Sequence, residues 1–213
     1  METITTLDNR KNNEETWNVI THGLGFILAI PALIFLIMRS ASTGSALYVT
    51  SFTIFGISTM ILFLASTVYH ASPLSKRRQF RIIDHCSIYI LIAGTYTPFA
   101  LIAIGGGLGW TIFGIEWGLA LCGIVFKFFF IERFKAVSLI CYLGMGWLII
   151  IAFKTVVTHI TMTGFSYLLA GGLMYTIGAF FFANHKIPYN HAIWHVFVLA
   201  GSAFMLVTVL FYV

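Results

Sequence analysis

Apolar residues fill this chain in long, nearly unbroken stretches separated by short polar connections. A helix needs about 20 mostly apolar residues to cross the hydrocarbon core of a bilayer. Seven stretches meet that length, at approximately 18–38, 46–70, 82–103, 110–131, 136–154, 163–183 and 189–212. They are continuously apolar rather than alternating, which argues against the strands of an outer-membrane barrel. The expected fold is therefore all-α, a polytopic membrane protein of seven transmembrane helices. A polar segment, residues 1–16, precedes one domain over 17–213, with no linker or soluble lobe inside it. No cleavable leader is expected, because residues 1–16 are polar and of mixed charge and the first apolar run is long enough to remain as an anchor.

Two of these stretches contain proline. Pro31 and Pro98 should kink their helices, with neighbours satisfying the freed carbonyls. Gly114 and Gly118 form a small-xxx-small pair, which predicts a close helix approach there.

Composition agrees with the pattern: 59% of residues are hydrophobic, 9% are charged and the mean hydropathy is +0.94. Soluble domains do not reach such values. The formal charge of +5 is spread over short connections rather than gathered on a patch, so nucleic acid is not an expected partner. Counted by connection, ten Lys and Arg fall on one side of the seven spans, and only Arg39 and Lys154 on the other. By the positive-inside rule the N-terminus is cytoplasmic and the C-terminus outside. Cys86, Cys122 and Cys141 lie within apolar runs at long spacings, and no disulfide framework or cysteine-based metal site follows.

This topology brings scattered polar residues to one depth. Span two runs inward and ends at His70, span three starts inside with Asp84, and span seven starts inside with His191 and His195. Ser66 and His70 are four residues apart, as are His191 and His195, so each pair shares a helix face. Three imidazoles with one open position are the ligand set of a catalytic zinc, and Asp84 is the carboxylate placed to orient its water or a ligand. Blander readings stand beside this one. Interfacial histidines can touch headgroups, Asp84 can pair with Arg81 or cap its helix, and Ser66 can bond back to its own helix.

His22, near Asn18 and Thr21 at the inner end of span one, is a rival ligand or a donor behind the ligands. His85 neighbours Asp84 but points about 100° away around the helix. His159 and His185 fall in connections, and Glu116 lies inside span four without an assigned role.

The stretches Glu15-x-x-Asn18-x-x-Thr21-His22, Ser66-x-x-x-His70, Arg81-x-x-Asp84, Gly94-Thr-Tyr-Thr-Pro98 and His191-x-x-x-His195 occur in this order along most of the chain. Together they resemble the haemolysin III family, within the progestin and adipoQ receptor superfamily. The resemblance implies a seven-helix fold with an intramembrane zinc near the inner leaflet, held by His70, His191 and His195. It implies that Asp84 and Ser66 flank the metal-bound water. Asn18, His22 and Arg81 are further candidates for supporting contacts behind the ligands. The superfamily is linked to alkaline ceramidases, and bacterial members are named for haemolytic activity.

The expectation is a zinc-dependent hydrolase of a lipid amide or ester in the plasma membrane, serving membrane lipid homeostasis. One alternative is a non-enzymatic zinc protein that senses or organises lipids, or acts in cytolysis. Proton-coupled transport through the histidines and Asp84 is another. A retinal protein is excluded, because residues 189–213 contain no lysine. A G-protein-coupled receptor conflicts with the charge bias.

Overall fold

The computed structural model describes residues 2–213, with side chains from Asn13 onward, so the expected topology markers Arg10 and Lys11 have side chains outside the described residues. The described chain is helical throughout. Its helices are α1 (Glu2–Ala41), α2 (Ala46–Ala71), α3 (Arg77–Pro98), α4 (Gly106–Phe130), α5 (Lys135–Gly146), α6 (Phe153–Ala183) and α7 (Asn190–Tyr212). A π-helical segment, Phe99–Ile104, follows α3, and a 3₁₀ segment, Leu148–Ala152, precedes α6. Among the described residues, six continuous helical stretches are long and apolar enough to cross a membrane. The chain is thus a multi-pass membrane protein.

Each outer helix turns one narrow stripe inward. On α1 the buried positions are Asn18, His22, Gly25, Ala29, Leu36 and Ser40, which recur every three or four residues or a multiple of that spacing. The rest of α1 exposes large apolar side chains such as Ile27, Phe35 and Met38. Exposure of that kind suits lipid rather than water. The stretch formed by α3 and the π-helical segment is the opposite case: it is the most buried of the six apolar stretches. α1 packs on α2 and α7, α2 on α3, and α6 on α7.

Glycine sets the closeness of two of these contacts. A Cβ on Gly94 would overlap the Ser58 side chain, so α3 passes directly over α2 there. A Cβ on Gly123 would overlap the Tyr89 ring, so α4 lies equally close to α3. The expected approach at Gly114 and Gly118 does not occur. Both face outward with no packed neighbour within 4 Å, because the inward face of α4 runs through Gly109, Ile112, Glu116 and Ala120.

Proline acts at the end of α3. Pro98 has no N–H for the helical ladder, and the backbone beyond it widens into the π-helical segment. That segment closes with Gly105 N–H donating to the Ala100 carbonyl at 2.9 Å. Gly105 and Gly106 follow at φ +63° and +55°, a region glycine enters without a steric penalty.

The second irregularity lies between the expected fifth and sixth spans. Helix continues past the expected end of span five, through an exposed His159 to Ile160. Thr161 alone breaks it, at φ +64° and ψ +169°. The 3₁₀ turns near Trp147 are held from outside: Tyr96 Oη accepts from Ile149 N–H at 2.7 Å and donates to the Gly146 carbonyl at 3.0 Å.

Candidate metal centre

Two helices deliver the histidines to one end of the bundle. His70 lies in the last turn of α2, and His191 and His195 lie in the first two turns of α7. The start of α7 is fixed by Asn190, whose amide donates to the Phe181 and Phe182 carbonyls at 3.2 and 3.3 Å. Tyr189 supports the entry in a left-handed conformation, and its carbonyl accepts from Ile193 N–H.

Within this frame the rings form a nearly regular triangle. Centroids are 4.9 Å apart for His70–His191, 5.0 Å for His70–His195 and 4.7 Å for His191–His195, inclined to one another by 62°, 72° and 64°. One nitrogen from each ring lies within 4.8 Å of the other two. Three imidazole nitrogens converging on a point are a fit for zinc. His70 Nε2 is buried without a hydrogen-bond partner, as a nitrogen reserved for an ion would be.

The other ring nitrogens explain the orientation. Glu15 Oε2 lies 2.6 Å from His70 Nδ1, and Glu15 is in turn held by Arg77. Asn18 reaches both helices: its side-chain amide is 3.3 Å from His70 Nδ1, and its carbonyl is 3.3 Å from His195 Nδ1. Thr21 Oγ1 adds a 3.4 Å contact to the same His195 nitrogen. With Nδ1 of His70 and of His195 engaged from behind, His70 Nε2 is left free, the arrangement in which an outer partner sets the tautomer of a metal-binding histidine. Glu14 extends the set, its carboxylate accepting from the His191 backbone N–H at 3.2 Å.

Asp84 and Ser66 stand beside the triangle. Both are buried and both line a cavity of about 1000 Å³, mouth included, that opens on His191 and His195. Ser66 does not bond back to its own helix; its Oγ has no partner of normal geometry, although it lies close enough to Asp84 to interact with it. Beyond these groups the cavity wall is mostly apolar, built from Ile88 and Leu91 of α3, Leu139 of α5 and Val198 of α7.

The remaining candidates divide. His22 does not join the triangle; its ring stacks flat on His195 at 3.5 Å, both its nitrogens are buried without a partner, and the residue lines the cavity. Arg81 stands apart from the ligands, since its guanidinium pairs with Glu132 in the connection after α4. It does not pair with Asp84 either. His85 lines the same cavity in spite of its angular offset from Asp84. His159 and His185 are exposed. Glu14 and Glu15 are the residues that sequence reasoning passed over as site residues. A signal existed: Glu15, Asn18 and His22 are spaced three and four apart and share one face of α1.

The order and spacing of these residues match a known group. The family model described as haemolysin-III related matches residues 10–206. The chain belongs to the haemolysin III family. It is 54% identical over 201 residues to Hemolysin-3 of Bacillus cereus, covering 94% of this chain and 92% of that one. It is 53% identical to the Hemolysin-3 homolog of Bacillus subtilis (strain 168), over 93% of this chain and 94% of the relative. A human protein, monocyte to macrophage differentiation factor, is 31% identical over 89% of this chain and 80% of its own length. The residues matched by the haemolysin III model, 10–206, include the segments that carry the triangle.

Proposed function

We propose that this protein is a zinc-dependent hydrolase of membrane lipids, cutting an amide or ester bond at the inner leaflet of the plasma membrane. The observation that carries the reading is the meeting of three imidazoles with Asp84 and Ser66 at one end of a mostly apolar cavity. A metal kept only for structure is enclosed by its ligands, whereas a catalytic one keeps an open side. Here a cavity reaches the histidines, which favours catalysis.

Zinc, when bound, supplies a Lewis acid that lowers the pKa of water and polarises a carbonyl. His70, His191 and His195 hold it, and Glu15, Asn18 and Thr21 hold two of those rings in position. Asp84 takes the proton from the attacking water and delivers it to the leaving amine or alcohol. Ser66 Oγ–H donates to the oxyanion that develops on the carbonyl. The apolar walls hold an acyl chain and exclude bulk water from the reacting bond.

The topology that serves this chemistry has seven crossings with the N-terminus in the cytoplasm. The stretch Lys135–Ala183 supports seven, because 49 helical residues would extend about 73 Å, more than twice the hydrocarbon thickness. The left-handed break at Thr161 divides it. The ten-to-two division of Lys and Arg supports the orientation, with the metal centre on the basic side.

The test compares wild type, Asp84→Asn and His70→Ala on long-chain amides and esters in liposomes. Asp84→Asn should keep its zinc and lose about 10²–10⁴-fold in turnover. Full turnover by metal-free His70→Ala protein would contradict the reading.

A further inference from the structure

The segment Gly94–Pro98 bears on what the cavity holds. Four of its five residues have a structural task. Gly94 lets α3 lie against Ser58, and Tyr96 pins the turn near Trp147. Thr97 Oγ1 donates to the Ala93 carbonyl at 2.9 Å and accepts from Trp117 Nε1 at 3.2 Å. Pro98 opens the π-helical segment. Thr95 has no such task. It is only 7% exposed, its Oγ1 makes no hydrogen bond, and it lines the cavity.

Among the described residues Thr95 shares a buried, unpartnered hydroxyl with three serines, Ser51, Ser66 and Ser138, and with no other threonine. Ser58, Thr59, Thr67, Thr97, Thr176 and Thr208 all donate to the carbonyl four residues earlier. Back-bonding of this kind is how a hydroxyl is satisfied where no water is at hand. Thr95 forgoes it; the residue lines the cavity, and its buried hydroxyl has no partner among the described residues.

Its position is informative. Thr95 follows Asp84 by eleven residues on α3, which places it about 16 Å further along the helix and within about 20° of the same face. Between them the wall is Ile88, Leu91 and Ile92. The α3 wall of the cavity is therefore polar beside the histidines, apolar along the next turns, and polar again at Thr95.

We infer that the cavity takes a lipid with a long acyl chain that carries a hydroxyl deep in the chain, and that Thr95 hydrogen-bonds it. The orientation, with the polar head at Asp84, rests on the hydrolase reading. The choice of a hydroxylated chain rests on Thr95 itself.

Three probes test it: the amides of octadecanoic, 3-hydroxyoctadecanoic and 12-hydroxyoctadecanoic acid. Each competes against a fluorescent fatty amide for the purified full-length protein in detergent, and free product is measured in the same samples. The 12-hydroxy amide should bind about threefold to tenfold more tightly than the other two, the range of one net hydrogen bond. Thr95→Ser should keep that preference. Thr95→Val should lose it while binding the octadecanoyl amide as wild type does. Equal affinities for the three probes in wild type, a preference that survives Thr95→Val, or no binding at all would overturn the inference. Absence of product with the preference intact would sink the hydrolase reading alone, and turnover without preference would sink this inference alone.

Discussion

Glu15 Oε2 lies 2.6 Å from His70 Nδ1, across 55 residues of chain, and Arg77 holds the same carboxylate from the other side. The stretch of α1 around Glu15 is therefore a brace for the metal centre. Replacing a partner of this kind costs a metal site about 10–100-fold in affinity. Glu15→Ala should show that loss in a chelator competition, and Glu15→Gln a smaller one, since its amide oxygen can still accept from Nδ1–H. Unchanged zinc affinity in both variants would mean that Glu15 has no hold on the ligand.

His22 and His195 are adjacent in space and differ in role. His22 only stacks on His195, whose nitrogen belongs to the converging set. His22→Asn should retain about one zinc per chain and His195→Ala should lose it. Metal analysis of the two variants under identical purification decides the matter. Loss in His22→Asn would make His22 a ligand.

Two glycines of α4 should respond in opposite ways to alanine. Gly123→Ala places a methyl into the Tyr89 ring, an overpacking change worth about 1–3 kcal/mol of destabilisation. Gly114→Ala meets nothing within 4 Å and should be neutral or stabilising by up to about 1 kcal/mol. Thermal unfolding in one detergent, read by tryptophan fluorescence, compares them directly. A larger loss for Gly114→Ala would show that the outward face of α4 is packed.

Tyr96 should matter through the backbone it serves. Tyr96→Phe leaves the buried Ile149 N–H and the Gly146 carbonyl without their partner. An unmade buried hydrogen bond costs about 1–3 kcal/mol. Amide hydrogen exchange should accelerate at Trp147–Ala152 before any other described segment. Unaltered exchange there would place the restraint elsewhere.

Much of this was legible in the chain itself. Length and hydropathy mark the helical stretches, because a span must be long and apolar wherever it packs. The meeting of His70, His191 and His195 follows from counting turns and crossings. Side-to-side relations were harder to read. Gly114-xxx-Gly118 has the spacing of a contact motif, yet which face of α4 turns inward is decided by its neighbours, and Gly123 and Gly109 carry the contacts. Glu15 was hidden by its company, since an acidic residue in a polar segment reads as solvated until Arg77 and His70 are seen beside it. The connection expected before residue 163 shrank to Thr161, because a single left-handed residue ends a helix without any proline or glycine to announce it.

The central claim is that three histidines hold one catalytic zinc. Metal content of the purified protein by plasma mass spectrometry, for wild type and His191→Ala, tests it most directly. About one zinc per wild-type chain and none in His191→Ala is the predicted result. Wild-type protein free of zinc after chelator-free purification, or a variant that keeps its full complement, would contradict it.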